Sequence, residues 1–255
     1  MIKVLLERFR QRYRTSGYPK DSPALPDRFQ GAPALKKGLC AKGCNACADV
    51  CPTEAIPRGE PLRLDLGKCL FCGACERACP AKAVSFGRDH RLAVRRKEDF
   101  VLRESETLRL ADALDKRMRT LFGRSLKLRQ VSAGGCNACE ADTNVLNTLT
   151  FDLGRFGIQF VASPRHADGL LITGPVTLPM KTALQKTYNA LPWPSIVIAV
   201  GACAVSGGPY AGHPEVLSGA DAVVPVDLFV AGCPPHPYTI LDGILRLIGR
   251  IKPPS

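Results

Sequence analysis

Short runs of Val, Ile and Leu punctuate the second half of the chain. Leu126–Val131, Ile158–Ala162, Leu170–Thr173, Ile196–Val200 and Val223–Val230 read as strands, and Asn144–Leu153, Leu178–Ala190 and Pro237–Gly249 read as helices. Strands alternating with helices predict an α/β domain with a mainly parallel sheet over residues 126–255. The first half lacks that rhythm. At its start, Met1–Tyr13 sets Ile2, Leu5, Leu6 and Phe9 on one side of a basic amphipathic helix. At its end, Leu110, Leu114, Met118 and Leu121 recur at helical spacing in a strongly charged stretch, residues 89–125.

Composition narrows the class. The 255 residues are 45% hydrophobic and 23% charged, which excludes global disorder. The longest stretch free of Asp, Glu, Lys and Arg, Thr187–Pro214, is broken by Pro192, Pro194, Gly201, Gly207, Gly208 and Pro209, so no membrane span is expected. Met1–Arg10 has neither the apolar core nor the cleavage site of a secretory signal. The 12 cysteines are therefore expected in a reducing compartment, where metal ligation is the default over disulfides. Charge is uneven: residues 1–130 hold 28 of the 35 Lys+Arg and 15 of the 23 Asp+Glu.

Every cysteine falls into a set. Cys40, Cys44, Cys47 and Cys51-Pro52 form one run, and Cys69, Cys72, Cys75 and Cys79-Pro80 form another. The second run has the spacing by which three thiolates on a tight loop hold one [4Fe–4S] cluster, the fourth reaching across to a neighbouring cluster. That crossover predicts one cluster on Cys40, Cys44, Cys47 and Cys79, and a second on Cys69, Cys72, Cys75 and Cys51. Ala41-Lys42-Gly43 adds one residue to the first run, a step that Gly43 can absorb. Zinc is the plain alternative for Cys-x2-Cys pairs, and two consecutive four-cysteine runs ending in Cys-Pro argue against it. The third set, Cys136, Cys139, Cys203 and Cys233, follows the carboxyl ends of three predicted strands, where open α/β sheets bind ligands. It predicts a third [4Fe–4S] cluster.

The front region, with Tyr18-Pro19 and Phe29-x-Gly31-x-Pro33 ahead of its cysteines, resembles the two-cluster ferredoxin subunits of complex I and of membrane-bound hydrogenases. In the back half, four motifs resemble the small subunit of [NiFe] hydrogenases and its relative in complex I. They are Gly135-Cys136-Asn137-Ala138-Cys139-Glu140, Gly201-x-Cys203-Ala204-x-Ser206-Gly207-Gly208, Val224-Pro225-Val226-Asp227 and Gly232-Cys233-Pro234-Pro235. The complex I subunit has adjacent cysteines at the first position and hydrogenases have Cys-x2-Cys, so this chain resembles the energy-converting, formate hydrogenlyase-like group, with ferredoxin and small subunits fused. Where that family commonly has two glutamates after the second cysteine, this chain has Glu140 and Asp142.

The resemblance implies a two-[4Fe–4S] α+β ferredoxin domain followed by an α/β flavodoxin-like domain. The expected boundaries are an N-terminal docking segment (1–35), the ferredoxin domain (36–88), a charged helical connector (89–125) and the small-subunit-like domain (126–255). It implies three clusters relaying electrons between a soluble donor or acceptor and the active site of a hydrogenase large subunit, or of a complex I 49 kDa-like subunit. The large subunit either holds or has lost nickel. Membrane subunits complete the assembly, and the chain is peripheral on the cytoplasmic side of the inner membrane. No active site is expected in this chain. No P-loop or dinucleotide-binding glycine pattern is present. A basic half invites nucleic acid, but the negative charge of the clusters accounts for it, and no nucleic-acid partner is expected. His236 is read as structural or cluster-adjacent, and Glu140 as a helix-start carboxylate or part of a proton route.

Overall fold

A computed structural model describes residues 2–251. Its centre is a six-stranded sheet. Five strands belong to the back half: β6 (Leu126–Ser132), β7 (Ile158–Phe160), β8 (Gly169–Thr173), β9 (Ile196–Val200) and β10 (Leu228–Val230). They run parallel in the order β7-β6-β8-β9-β10. The sixth, β4 (Ala93–Val94), comes from the expected connector and pairs antiparallel with the outer edge of β10.

Residues alternate faces along these strands, and the alternation divides the core. Leu170, Ile172, Val197 and Ala199 face one apolar cluster; Leu171, Ile196, Ile198 and Val200 face the other. The second cluster is closed by helix α8 (Pro237–Leu247), all of whose residues are buried. The first is shared with the front half: Leu64, Leu66, Phe100 and Leu102 join Val205 and Phe229 in one continuous core.

The front half is a small cysteine-rich unit. Helix α1 (Ile2–Gln11) precedes two antiparallel pairs, β1 (Pro33–Leu35) with β3 (Val84–Phe86) and β2 (Arg63–Asp65) with β5 (Val101–Arg103). Short helices α2 (Ala46–Asp49) and α3 (Ala74–Ala78) lie between them.

Several expected elements shift. The helix predicted at Asn144–Leu153 begins earlier, as α5 (Ala138–Val145), because the chain enters it directly from the Cys136 loop. Only Leu228–Val230 of the predicted Val223–Val230 strand is extended, since Val223 and Val224 close a short 3-10 turn. The amphipathic connector is α-helical only in α4 (Lys116–Phe122), where Asp115 accepts the Met118 N–H as N-cap, and makes a 3-10 turn at Lys97–Phe100. Its remainder supplies β4 and β5, one to each half. Helices α6 (Leu178–Asn189) and α8 lie where the pattern placed them.

Candidate metal centres

The cysteines sit on repeated local geometry. Cys44-Asn45-Ala46-Cys47, Cys72-Gly73-Ala74-Cys75 and Cys136-Asn137-Ala138-Cys139 share one pattern, and each turns into a short helix, α2, α3 or α5. Cys203 likewise is the second residue of α7 (Ala202–Ser206). Gly73, Asn137 and Gly201 enter their helices at φ 67°, 70° and 91°. Glycine adopts such angles freely and asparagine tolerates them. The four second-position cysteines thus lie where free N–H groups and the helix dipole favour a thiolate. The signal for this in the sequence is the repeat itself, Cys, then Asn or Gly, then Ala, then Cys; the small size of the intervening residues alone does not reveal it.

The two Cys-Pro ends also match. The Ala55 N–H donates to Cys51 Sγ at 3.2 Å, and the Ala83 N–H donates to Cys79 Sγ at 3.3 Å. Glu54 and Lys82, one residue earlier in each turn, have φ of 51° and 52°. The Phe71 N–H donates to Cys69 Sγ at 3.3 Å. Such bonds stabilise sulfur carrying negative charge.

Electrostatics group the thiols. Burial raises the Cys40 thiol above its ordinary pKa, and the charges of Cys44 and Cys79 act in the same direction. Burial also raises Cys47, with Cys79 and Cys40 adding to it. Burial pushes Cys69 up to about 12, reinforced by Cys75, Cys51 and Cys72 against the Phe71 N–H. Cys75 rises to about 11, through burial and then Cys51 and Cys72, against the Glu76 N–H. In the back half, burial and then Cys203, Glu140, Cys233 and Cys136 raise Cys139. Burial, Cys233 and Cys136 lift Cys203 to about 11. Cys79 thus acts on Cys40 and Cys47 of the first run and Cys51 on Cys69 and Cys75 of the second, while Cys47 of the first also reaches Cys75.

This environment suits a cationic group. Several half-buried thiolates repel one another and are poorly solvated, so they hold their charge together only around bound metal. The backbone leaves room. A Cβ on Gly201 would lie 2.5 Å from Cys139 Sγ, and one on Gly208 2.9 Å from Cys203 Sγ. Cys40, Cys44 and Cys47 line a cavity of about 480 Å³. Cys136 and Cys233 are exposed while Cys139 and Cys203 are half-buried, so the third set opens to the surface. Among the described residues, no three His, Cys, Asp or Glu side chains close on a single-ion site.

The remaining candidates fall into place around these sets. Glu140 is buried and accepts from Ser132 Oγ at 2.6 Å and Thr173 Oγ1 at 2.7 Å. Asp142 is raised by burial. His236 accepts the Tyr238 N–H on Nδ1 and stacks on the Tyr238 ring. Sequence reasoning missed the group behind it. The Tyr18 hydroxyl donates to Asp242 Oδ1 at 2.7 Å, His90 Nε2 lies 3.2 Å from Tyr18 Oη, and Arg246 Nε donates to Asp242 Oδ2 at 2.7 Å.

Residues 136–247 match the family described as NADH ubiquinone oxidoreductase, 20 Kd subunit, and residues 39–83 match the 4Fe-4S dicluster domain. A probable membrane-bound hydrogenase subunit of Pyrococcus furiosus is 40% identical over 141 residues, 54% of this chain and 84% of its own length. An NADH-quinone oxidoreductase subunit of Heliobacterium modesticaldum is 41% identical over 124 residues, 48% of this chain and 71% of its own. Formate hydrogenlyase subunit 7 of Escherichia coli is 42% identical over 129 residues, 51% of each chain.

Proposed function

Because the chain belongs to the family of the NADH ubiquinone oxidoreductase 20 Kd subunit and carries a 4Fe-4S ferredoxin domain ahead of it, we propose that it is the electron-relay subunit of a membrane-associated, hydrogenase-type complex. Three [4Fe–4S] clusters would supply one-electron redox chemistry. In this reading Cys40, Cys44, Cys47 and Cys79 hold the first, and Cys69, Cys72, Cys75 and Cys51 the second. Cys136, Cys139, Cys203 and Cys233 hold the third, at the exposed end facing a large subunit. The observation that supports the reading is the turn common to all three sets, Cys, then Asn or Gly, then Ala, then Cys, each leading into the start of a short helix.

The chain's own residues prepare the sites. The N–H groups of Ala55, Phe71 and Ala83 are aimed at sulfur. The shared apolar core packs the two halves against each other. The parallel order β7-β6-β8-β9-β10 is a flavodoxin-like arrangement, and its switch point, between β6 and β8, lies beside the Cys136 loop. The four-part division at residues 35, 88 and 125 remains part of the proposal, with β4 and β5 drawing the connector into both neighbours.

The partner is a large subunit carrying nickel, with a soluble electron donor or acceptor at the ferredoxin end. Membrane subunits place the chain peripherally on the cytoplasmic side of the inner membrane. No helix among the described residues is long and apolar enough to cross a membrane. None of the described residues of α1 is buried, and its exposed Ile2, Leu5, Leu6 and Phe9 fit a docking face for a membrane subunit.

A second reading, a complex I-type module that reduces quinone, draws support from the likeness to the Heliobacterium NADH-quinone oxidoreductase subunit. The Cys136-x2-Cys139 spacing favours the first. Anaerobic purification of the native complex decides between them. The expected result is co-purified nickel with hydrogen-dependent reduction of an artificial acceptor. Quinone reduction without nickel favours the second reading, and a monodisperse, partner-free chain contradicts both.

A further inference from the structure

Helix α7 carries Cys203 and ends on Ser206, which is buried. The Ser206 hydroxyl donates to the Gly67 carbonyl at 2.8 Å. Gly67 lies in the turn that leads into Cys69, the first cysteine of the second run. One hydrogen bond therefore ties the approach to the second set to the helix of the third, across the two halves of the chain.

A serine at this place has a specific use. Serine is a poorer helix former than alanine, and a buried hydroxyl needs a partner. The Ala202 carbonyl, one turn back in α7, is an acceptor at 3.1 Å, the usual resort of a helical serine. The shorter bond goes to Gly67 instead. Among the described residues no backbone N–H bonds to the Gly67 carbonyl, so the Ser206 hydroxyl supplies the donor that this carbonyl lacks. On its other side Ser206 Oγ accepts the Gly208 N–H at 3.4 Å. Gly208 lies against the third set, since a Cβ on it would stand 2.9 Å from Cys203 Sγ. The turn comes close to α7 because Gly67 has no side chain: a Cβ there would meet Val205 Cγ1 at 3.0 Å and Phe100 Cδ2 at 3.1 Å. The Gly67 carbonyl, the Ser206 hydroxyl and the Gly208 amide thus form a bonded line from the Cys69 turn to the Cys203 sulfur.

We propose that Ser206 is a positioning residue of the relay: its bond to Gly67 holds the loop of the second set against the helix of the third, and so sets the rate at which electrons pass between them. The inference rests on the relay reading above. One electron lost at one centre is gained at the other, and no covalent bond is made or broken at Ser206.

The test uses the anaerobically prepared complex with the native chain, Ser206→Ala, Ser206→Thr, Gly67→Ala and Leu184→Ala. Electron exchange between the second and third centres is followed by freeze-quench magnetic resonance, with iron content and melting temperature measured on the same samples. Ser206→Ala should keep its full iron and slow exchange several-fold. Ser206→Thr keeps the hydroxyl and should exchange as the native chain does. Gly67→Ala keeps the hydroxyl but pushes the turn off α7, so it should slow exchange as well, and it decides the matter by the same readout if Ser206→Ala does not fold. Leu184→Ala truncates the shared core on α6, which bears no cysteine; its melting temperature should fall while exchange stays native. Unchanged exchange in Ser206→Ala or Gly67→Ala, loss of iron from Ser206→Ala, slow exchange in Ser206→Thr, or equal slowing in Leu184→Ala overturns the proposal. The native sample separates the two ideas. If it lacks clusters, or if no electron reaches its third centre, the relay reading fails and this proposal falls with it; if its relay works, those outcomes count against Ser206 alone.

Discussion

At the residue scale, the sites depend on what small side chains leave open. Gly201 has φ 91°, and a Cβ there would lie 2.5 Å from Cys139 Sγ. Gly201→Ala is therefore expected to empty the third set alone, lowering iron from about twelve to about eight atoms per chain, as read by metal analysis and magnetic resonance. The three cysteine sets could be read from the sequence because close spacing marks the first two and strand ends mark the third. The Tyr18–His90–Asp242–Arg246 group could not, because its members are brought together only by folding, Tyr18 and Asp242 from positions 224 residues apart. That group sets a pH dependence. Burial lowers the His90 pKa from 6.5, opposed in part by Asp242 and Asp89 and assisted by Arg91 and Arg246. The folded chain therefore disfavours the protonated ring. The stability this contributes is complete above the unfolded value near 6.5 and is lost as pH falls towards the folded one, by at most about 1.4 kcal/mol per pH unit. His90→Gln should flatten the fall in denaturant midpoint between about pH 6.5 and 5.5; an unchanged slope contradicts this account.

At the element scale, packing moved what periodicity had placed. Apolar alternation located β8 and β9 well, since both faces of each are buried and their runs are continuous. It misplaced α5, whose start is dictated by the Cys136 loop rather than by an apolar stripe. It also read Leu110 and Leu114 as one helix with Met118, although Ala111 and Leu114 instead bond their backbone N–H groups to Ala93 and Leu247. The closeness of α8 and β4 rests on Gly243, where a Cβ would stand 2.7 Å from the Ala93 Cβ. Glycine inside a helix ordinarily costs about 0.5–1 kcal/mol relative to alanine. Here the sign should reverse: Gly243→Val is expected to destabilise by about 1–3 kcal/mol, measured by chemical denaturation. A stabilised variant would show that the contact yields.

At the scale of the whole molecule, the sequence divides into two compositional halves while the structure joins them. The Ser206 hydroxyl, on the helix carrying Cys203, donates to the Gly67 carbonyl just before Cys69 at 2.8 Å. Lys97 pairs with Asp221 at 3.2 Å. The charge step near residue 130 hid this union, because the contacts that make it are apolar and non-local. The joined core fixes the third set against the second, which a relay requires. It also predicts how the chain can be cut. A fragment starting at residue 126 loses β4 and leaves β10 as an open edge, so it should aggregate or dimerise on size exclusion. A fragment starting at residue 89 restores the strand and should run closer to monomer; equal behaviour of the two would contradict the role given to β4.

The central claim is that these twelve sulfurs anchor iron–sulfide clusters. Its most direct test is the iron, acid-labile sulfide and zinc content of the anaerobically purified complex. About twelve iron and twelve sulfide per chain, with negligible zinc, is the result this account predicts. Stoichiometric zinc, or thiols found paired as disulfides in undamaged material, would contradict it.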